Sequence, residues 1–191
     1  MSETAQSIHQ EVSGTKYCHD PLVPASEFAS ALLPTTTVPD SKYIPLAEHG
    51  ARRAMNSRGT IENHERGILG EYAVADFFGV SDVVDTSLYE NGDPGFDLQM
   101  GPWTIDVKTA GPCFDQPSLM VNATKNLSAD FYVLTQQLSQ QHYRIIGYAP
   151  SSRVAMAPVR QIGPHPADEV YVLDQYKLNP LHASASDIFA P

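Results

Sequence analysis

The chain has 191 residues, with twelve Lys/Arg against twenty-two Asp/Glu and a formal net charge of −10. That length suits one domain with tails, no apolar run is long enough for a membrane span, and the start lacks the basic-plus-apolar pattern of a secretion signal. The acid excess excludes a surface that is basic throughout, and the distant pair Cys18 and Cys113 forms no CxxC site and predicts reduced thiols in a cytoplasmic protein.

In residues 1–50, Pro21, Pro24, Pro34, Pro39 and Pro45 interrupt any long element, and Thr35-Thr36-Thr37 has no helical drive. Glu27 to Leu33 is a candidate for one short helix. The segment is expected to be an irregular extension that packs on the core or on a partner. A basic cluster follows, with Arg52, Arg53 and Arg58.

Thr60 then caps a helix predicted from about Ile61 to Phe78, which Gly79 stops. Ile68, Val74, Ala75 and Phe78 lie at helical spacing around Glu71, so this carboxylate sits within or beside the apolar stripe. A carboxylate in such a place must be protonated, paired or bound to metal, because desolvating it bare is costly. Pairing with a local Arg is the plain alternative to a metal.

Two strands come next. Phe96, Leu98 and Met100 alternate with Asp97 and Gln99; Gly101-Pro102 marks a turn; Trp103, Ile105 and Val107 alternate with Thr104, Asp106 and Lys108. A hairpin closed about Gly101-Pro102 sets Asp97 opposite Asp106, with Lys108 on the same face. Two opposed carboxylates repel by a few kcal/mol at an effective dielectric near ~20, so the arrangement asks for a cation. Lys108 is one answer; a hard divalent ion with oxygen ligands is another. Asp93, in a Gly/Pro turn, is a rival for the strand position, and Asp97 is preferred because its parity matches Asp106.

Further strands are read at Leu119–Asn122, Asp130–Leu134 and Tyr143–Tyr148, followed by a short helix from Ser151 or Ser152 through Met156. Val170–Leu173 reads as an edge strand and Tyr176–Leu178 as a final turn. The fold class is α/β (α+β), with a mixed four- to five-stranded sheet flanked by helices.

The ordered set Gly70-Glu71, then Gly92-Asp93-Pro94-Gly95-Phe96-Asp97-Leu98, then Ile105-Asp106-Val107-Lys108-Thr109 resembles the metal-dependent nuclease core of the PD-(D/E)XK superfamily, most of all the small nucleases of phages and mobile elements. The likeness spans about Thr60 to Tyr148, and departs from the pattern in having no Pro directly before Asp97. The resemblance implies a restriction-endonuclease-like core, an endonuclease activity on DNA, and Mg²⁺ or Mn²⁺ held by Glu71, Asp97, Asp106 and the Val107 carbonyl. It makes Lys108 the catalytic lysine.

On this reading residues 51–163 are the core, 1–50 an extension, and 164–191 an edge strand and tail. Arg52, Arg53, Arg58 and Lys125 are the candidate nucleic-acid contacts, with Arg144, Arg153 and Arg160 spaced through the second half. The expected partner is nucleic acid, with a protein partner or a second copy to offset the acidic charge, and no membrane. Two alternatives stay open: a nuclease-fold protein that binds nucleic acid or protein without cutting, and an acidic inhibitor or DNA mimic. Histidine-based zinc chemistry is disfavoured, since His64 and His142 are isolated.

Overall fold

The computed structural model describes residues 33–55, 59–81, 84, 95–165 and 168–181. Its first strand, β1 (Thr35–Thr37), is three β-branched residues that bury Thr36 and expose Thr35 and Thr37. Helix α1 (Asp40–Ala54) follows, with Pro45 inside it. The proline removes one ladder donor, and burial of Leu46, His49 and Gly50 outweighs that loss. Of the extension expected up to residue 50, residues 35–37 form a strand of the main sheet and residues 40–50 lie in a helix packed on the core. Residue 50 lies inside a helix, and the core begins by Thr35. The proposed helix at Glu27–Leu33 falls almost wholly outside the described residues.

Helix α2 (Ile61–Phe77) starts where its cap predicts: Asn63 N–H donates to Thr60 Oγ1 at 3.2 Å. It stops at Gly79, whose φ of 71° is open to glycine at little cost. Residues Ile68 through Ala75 are all buried, which makes α2 the central helix. It lies against α1 so closely that a Cβ on Gly50 would stand 2.7 Å from the Glu65 backbone. Gly67, on the same helix pair, has nothing within 4 Å of a Cβ. Gly50→Ala should therefore destabilise by about 1–3 kcal/mol through overpacking, whereas Gly67→Ala should stabilise by roughly 0.5–1 kcal/mol. Urea denaturation of the two variants measures both, and equal effects would show that the helices have room to separate.

The main sheet has five strands in the order β1-β6-β5-β3-β2, where β2 is Leu98–Met100, β3 Trp103–Ala110, β5 Phe131–Gln137 and β6 His142–Pro150. The β2–β3 hairpin turns at Gly101, with Met100 opposite Trp103. Strand β3 runs parallel to β5, and the other pairs are antiparallel. This is the expected mixed sheet flanked by helices.

One strand goes elsewhere. β4 (Ser118–Asn122) leaves the main sheet and pairs with β8 (Glu169–Asp174), which also pairs with β7 (Val159–Gln161). The predicted edge strand at Val170–Leu173 is therefore the middle strand of a second, three-stranded sheet. A short helix α3 (Ser151–Ala155) joins β6 to β7.

The two faces of the main sheet have different neighbours. Ile105, Val107, Val133 and Ile145 pack with Val74 and Ala75 of α2. Tyr132, Leu134 and Ala149 pack instead with Leu119, Val121 and Val154 of the second layer. Strand alternation then puts Asp106 and Lys108 on the face away from α2, in register with Tyr132 and Leu134.

Among the described residues no helix is long and apolar enough to cross a membrane. Cys113 is disulfide-bonded, which corrects the expectation of reduced thiols. Separation along the chain carries no information about proximity in space, and that was the ground for expecting free thiols. Disulfides are uncommon in the cytoplasm, so Cys113 lends no support to that compartment.

Candidate active site

β2 begins at Leu98, paired with Ile105, so Asp97 stands next to Asp106 where the first strand departs from the second. A departing strand leaves ladder donors without partners, and buried N–H groups need one. Asp97 answers this twice. Its own N–H donates to the Ile105 carbonyl at 2.8 Å, and its Oδ2 accepts the Val107 N–H at 2.7 Å. The Asp97 side chain thereby replaces the next rung of the ladder, which fixes its carboxylate beside β3.

Asp106 is the residue between those two anchor points, and its Oδ1 pairs with Lys108 Nζ. The Asp106 side chain is 15% exposed and that of Lys108 37% exposed, so the pair opens toward solvent from the lysine end. Burial by itself pushes the Lys108 ammonium down, but Asp106, Asp97 and Glu71 together outweigh it and hold the group above the ordinary lysine value. Lys108 is thus a firm cation at neutral pH. It sits in the field of all three carboxylates that the sequence singles out.

Glu71 reaches this field from the other side. It is 7% exposed on α2, the helix that covers the Ile105 and Val107 face. Its Oε1 lies 3.5 Å from Arg53 NH1, at the last turn of α1. The plain alternative for a buried Glu, a nearby Arg, is therefore realised together with the electrostatic link to Lys108. Arg53, one of the candidate nucleic-acid contacts, is the residue that meets Glu71. Sequence reasoning missed this pair because it needs α1 docked on α2, and the only local signal was the basic last turn of a helix hidden by its proline.

Of the other candidate nucleic-acid contacts, Arg52 and Lys125 are exposed and Arg58 lies outside the described residues, as does the rival Asp93. His142 shares its Nδ1 with Ser139 Oγ at 2.8 Å.

The donors fit a divalent ion in one arrangement and not in another. Among the described residues no three His, Cys, Asp or Glu stand in a group able to hold a metal ion. Glu71, Asp97 and Asp106 are therefore not a preformed three-carboxylate cage. Mg²⁺, however, commonly takes only one or two carboxylates and keeps several waters, with substrate phosphate completing its shell. Asp97 and Asp106, side by side and all oxygen in donor type, suit that mode and a hard cation.

Comparison with known proteins identifies no relative: no family model, no curated protein and no solved structure matches this chain.

Proposed function

We propose that this protein is a divalent-metal-dependent nuclease, hydrolysing phosphodiester bonds of nucleic acid, with DNA as its substrate class. The observation that carries the reading is one cation, Lys108, set among Asp106, Asp97 and Glu71 at the point where β2 leaves β3. Lys108 and Arg53 offset two of the three carboxylates, which leaves one negative charge for a further cation.

Asp97 and Asp106 would hold the ion, with the Val107 carbonyl as a further oxygen donor. When bound, Mg²⁺ or Mn²⁺ supplies polarisation of the scissile phosphate and a more acidic bound water. The remaining work falls to the chain. The Val107 N–H holds the Asp97 carboxylate in place, so that group needs little reorganisation on binding. Lys108, charged at neutral pH, orients the attacking water through its N–H donors and offsets negative charge that grows on the phosphate. Arg53 restrains Glu71, which adds negative potential at Lys108.

The test is cleavage of duplex and single-stranded DNA and of RNA by purified protein in Mg²⁺, in Mn²⁺ and in EDTA. Cleavage that needs the divalent ion supports the proposal; none on any substrate in either metal removes it.

One observation favours a second reading. Each carboxylate already has a protein partner: Arg53 for Glu71, the Val107 N–H for Asp97, and Lys108 for Asp106. A nuclease-like binding protein without catalysis would have the same network. Calorimetric titration with Mg²⁺ separates the two, since only the enzyme takes up an ion through Asp97 and Asp106.

A further inference from the structure

Along the same sheet face, one residue pair beyond Lys108, the strands carry Ala110, Gln136 and Arg144 side by side, with Thr35 of β1 next in the row. Arg144 is partly buried, and among the described residues no carboxylate lies within ion-pair distance of it. Its NH2 donates to Gln136 Oε1 at 3.1 Å, while its Nε is buried and, among the described residues, has no hydrogen-bond partner. A buried guanidinium nitrogen without an acceptor is costly.

Gln136 is itself 4% exposed, and its Nε2 donates to the Phe114 carbonyl at 2.6 Å. The amide therefore cannot turn its oxygen away from Arg144 without losing that bond, and the guanidinium plane is held in one orientation. In a chain with a net charge of −10, an arginine fixed by a neutral amide and, among the described residues, without an ion-paired acid has charge left for another anion. Burial lowers its affinity for the proton, in keeping with a charge that lacks its counter-ion.

We propose that Arg144, oriented by Gln136 and flanked by the exposed Thr35 hydroxyl, is a phosphate-binding subsite for a nucleic-acid backbone lying across the sheet face that carries Lys108. Two strand spacings, about 10 Å, and one pleat repeat, about 7 Å, separate it from Lys108. It therefore engages a phosphate other than the one at the lysine. A strand joining the two passes over the exposed loop 112–116. A guanidinium matches phosphate oxygens through its terminal nitrogens, and the buried Nε lies behind that contact. The inference rests on the nuclease reading for the identity of its ligand.

The experiment follows the Arg144 Nε–H resonance by NMR in metal-free protein during titration with inorganic pyrophosphate and, separately, with a short single-stranded oligonucleotide. Binding of the oligonucleotide is measured in parallel across a salt series for Arg144→Gln and Arg144→Lys. The expected result is a shift of the Nε–H signal with the oligonucleotide, and for Arg144→Gln a weaker complex whose salt slope falls by about one. Arg144→Lys should restore the slope but not the affinity, because an ammonium lacks the fork. A signal that moves with pyrophosphate alone overturns the nucleic-acid assignment, and a signal that moves with neither overturns the subsite. Cleavage by the unmodified protein is scored independently, so a failed nuclease reading with a shifting Arg144 signal is told apart from a failed subsite.

Discussion

Asp106→Asn should reduce divalent-dependent cleavage by on the order of 10³-fold while the protein stays folded. The substitution keeps shape and volume and removes the charge, and an amide is a poor ligand for a hard ion beside a carboxylate. The fold should survive because Ile105 and Val107, on either side, keep their burial against α2. Lys108 loses the carboxylate that raises its pKa most, so its pKa falls, with Asp97 and Glu71 still in its field. Asp97→Asn is the companion variant, and it is informative because an amide oxygen can still accept the Val107 N–H. Asp97→Ala loses that acceptor as well, and leaves a ladder donor unsatisfied at a cost of about 1–3 kcal/mol. Single-turnover cleavage and a thermal melt on each variant separate charge from scaffold. Asp106→Asn protein that cuts as fast as the parent would place the activity at another site.

Lys108→Ala should lower cleavage by at least ~10²-fold and leave metal binding intact or tighter. The Lys108 ammonium pairs with Asp106 directly, so a divalent ion that uses this carboxylate competes with it. Removing the ammonium removes the competitor, and also the group that steadies the attacked phosphate. Lys108→Arg should rescue little, since a planar guanidinium does not fit the place of a compact ammonium. Calorimetric affinity and cleavage must be measured on the same preparations. Loss of metal binding in Lys108→Ala would make the lysine a structural prop; undiminished cleavage would make it a surface partner of Asp106 and nothing more.

The same residue gives a pH signature. Its pKa is raised in the fold, so its contribution to stability is complete below the ordinary lysine value of 10.5 and is lost as the pH rises through the higher folded value. Lys108→Ala should therefore flatten the alkaline limb of a stability–pH curve and leave the region near neutrality unchanged in slope.

Local patterning alone determined a good part of this protein. Alternation along Phe96–Met100 and Trp103–Lys108, with the Gly101-Pro102 turn between, was enough to set Asp97 beside Asp106 and Lys108 on their face, because strand parity and a tight hairpin are short-range properties. Thr60 and Gly79 marked both ends of α2 for the same reason, since caps depend on backbone groups within one turn. What needed the tertiary structure was every relation between elements distant in sequence. Proline spacing concealed α1, whose stability comes from packing on α2 rather than from its own propensity. Only that packing brings Arg53 to Glu71, and only the layer order shows that Glu71 approaches from the helix side while Asp106 and Lys108 face the second sheet. The pairing of β4 with β8 rather than with the main sheet was equally hidden, because a strand's apolar residues say which faces are buried and not which neighbour buries them.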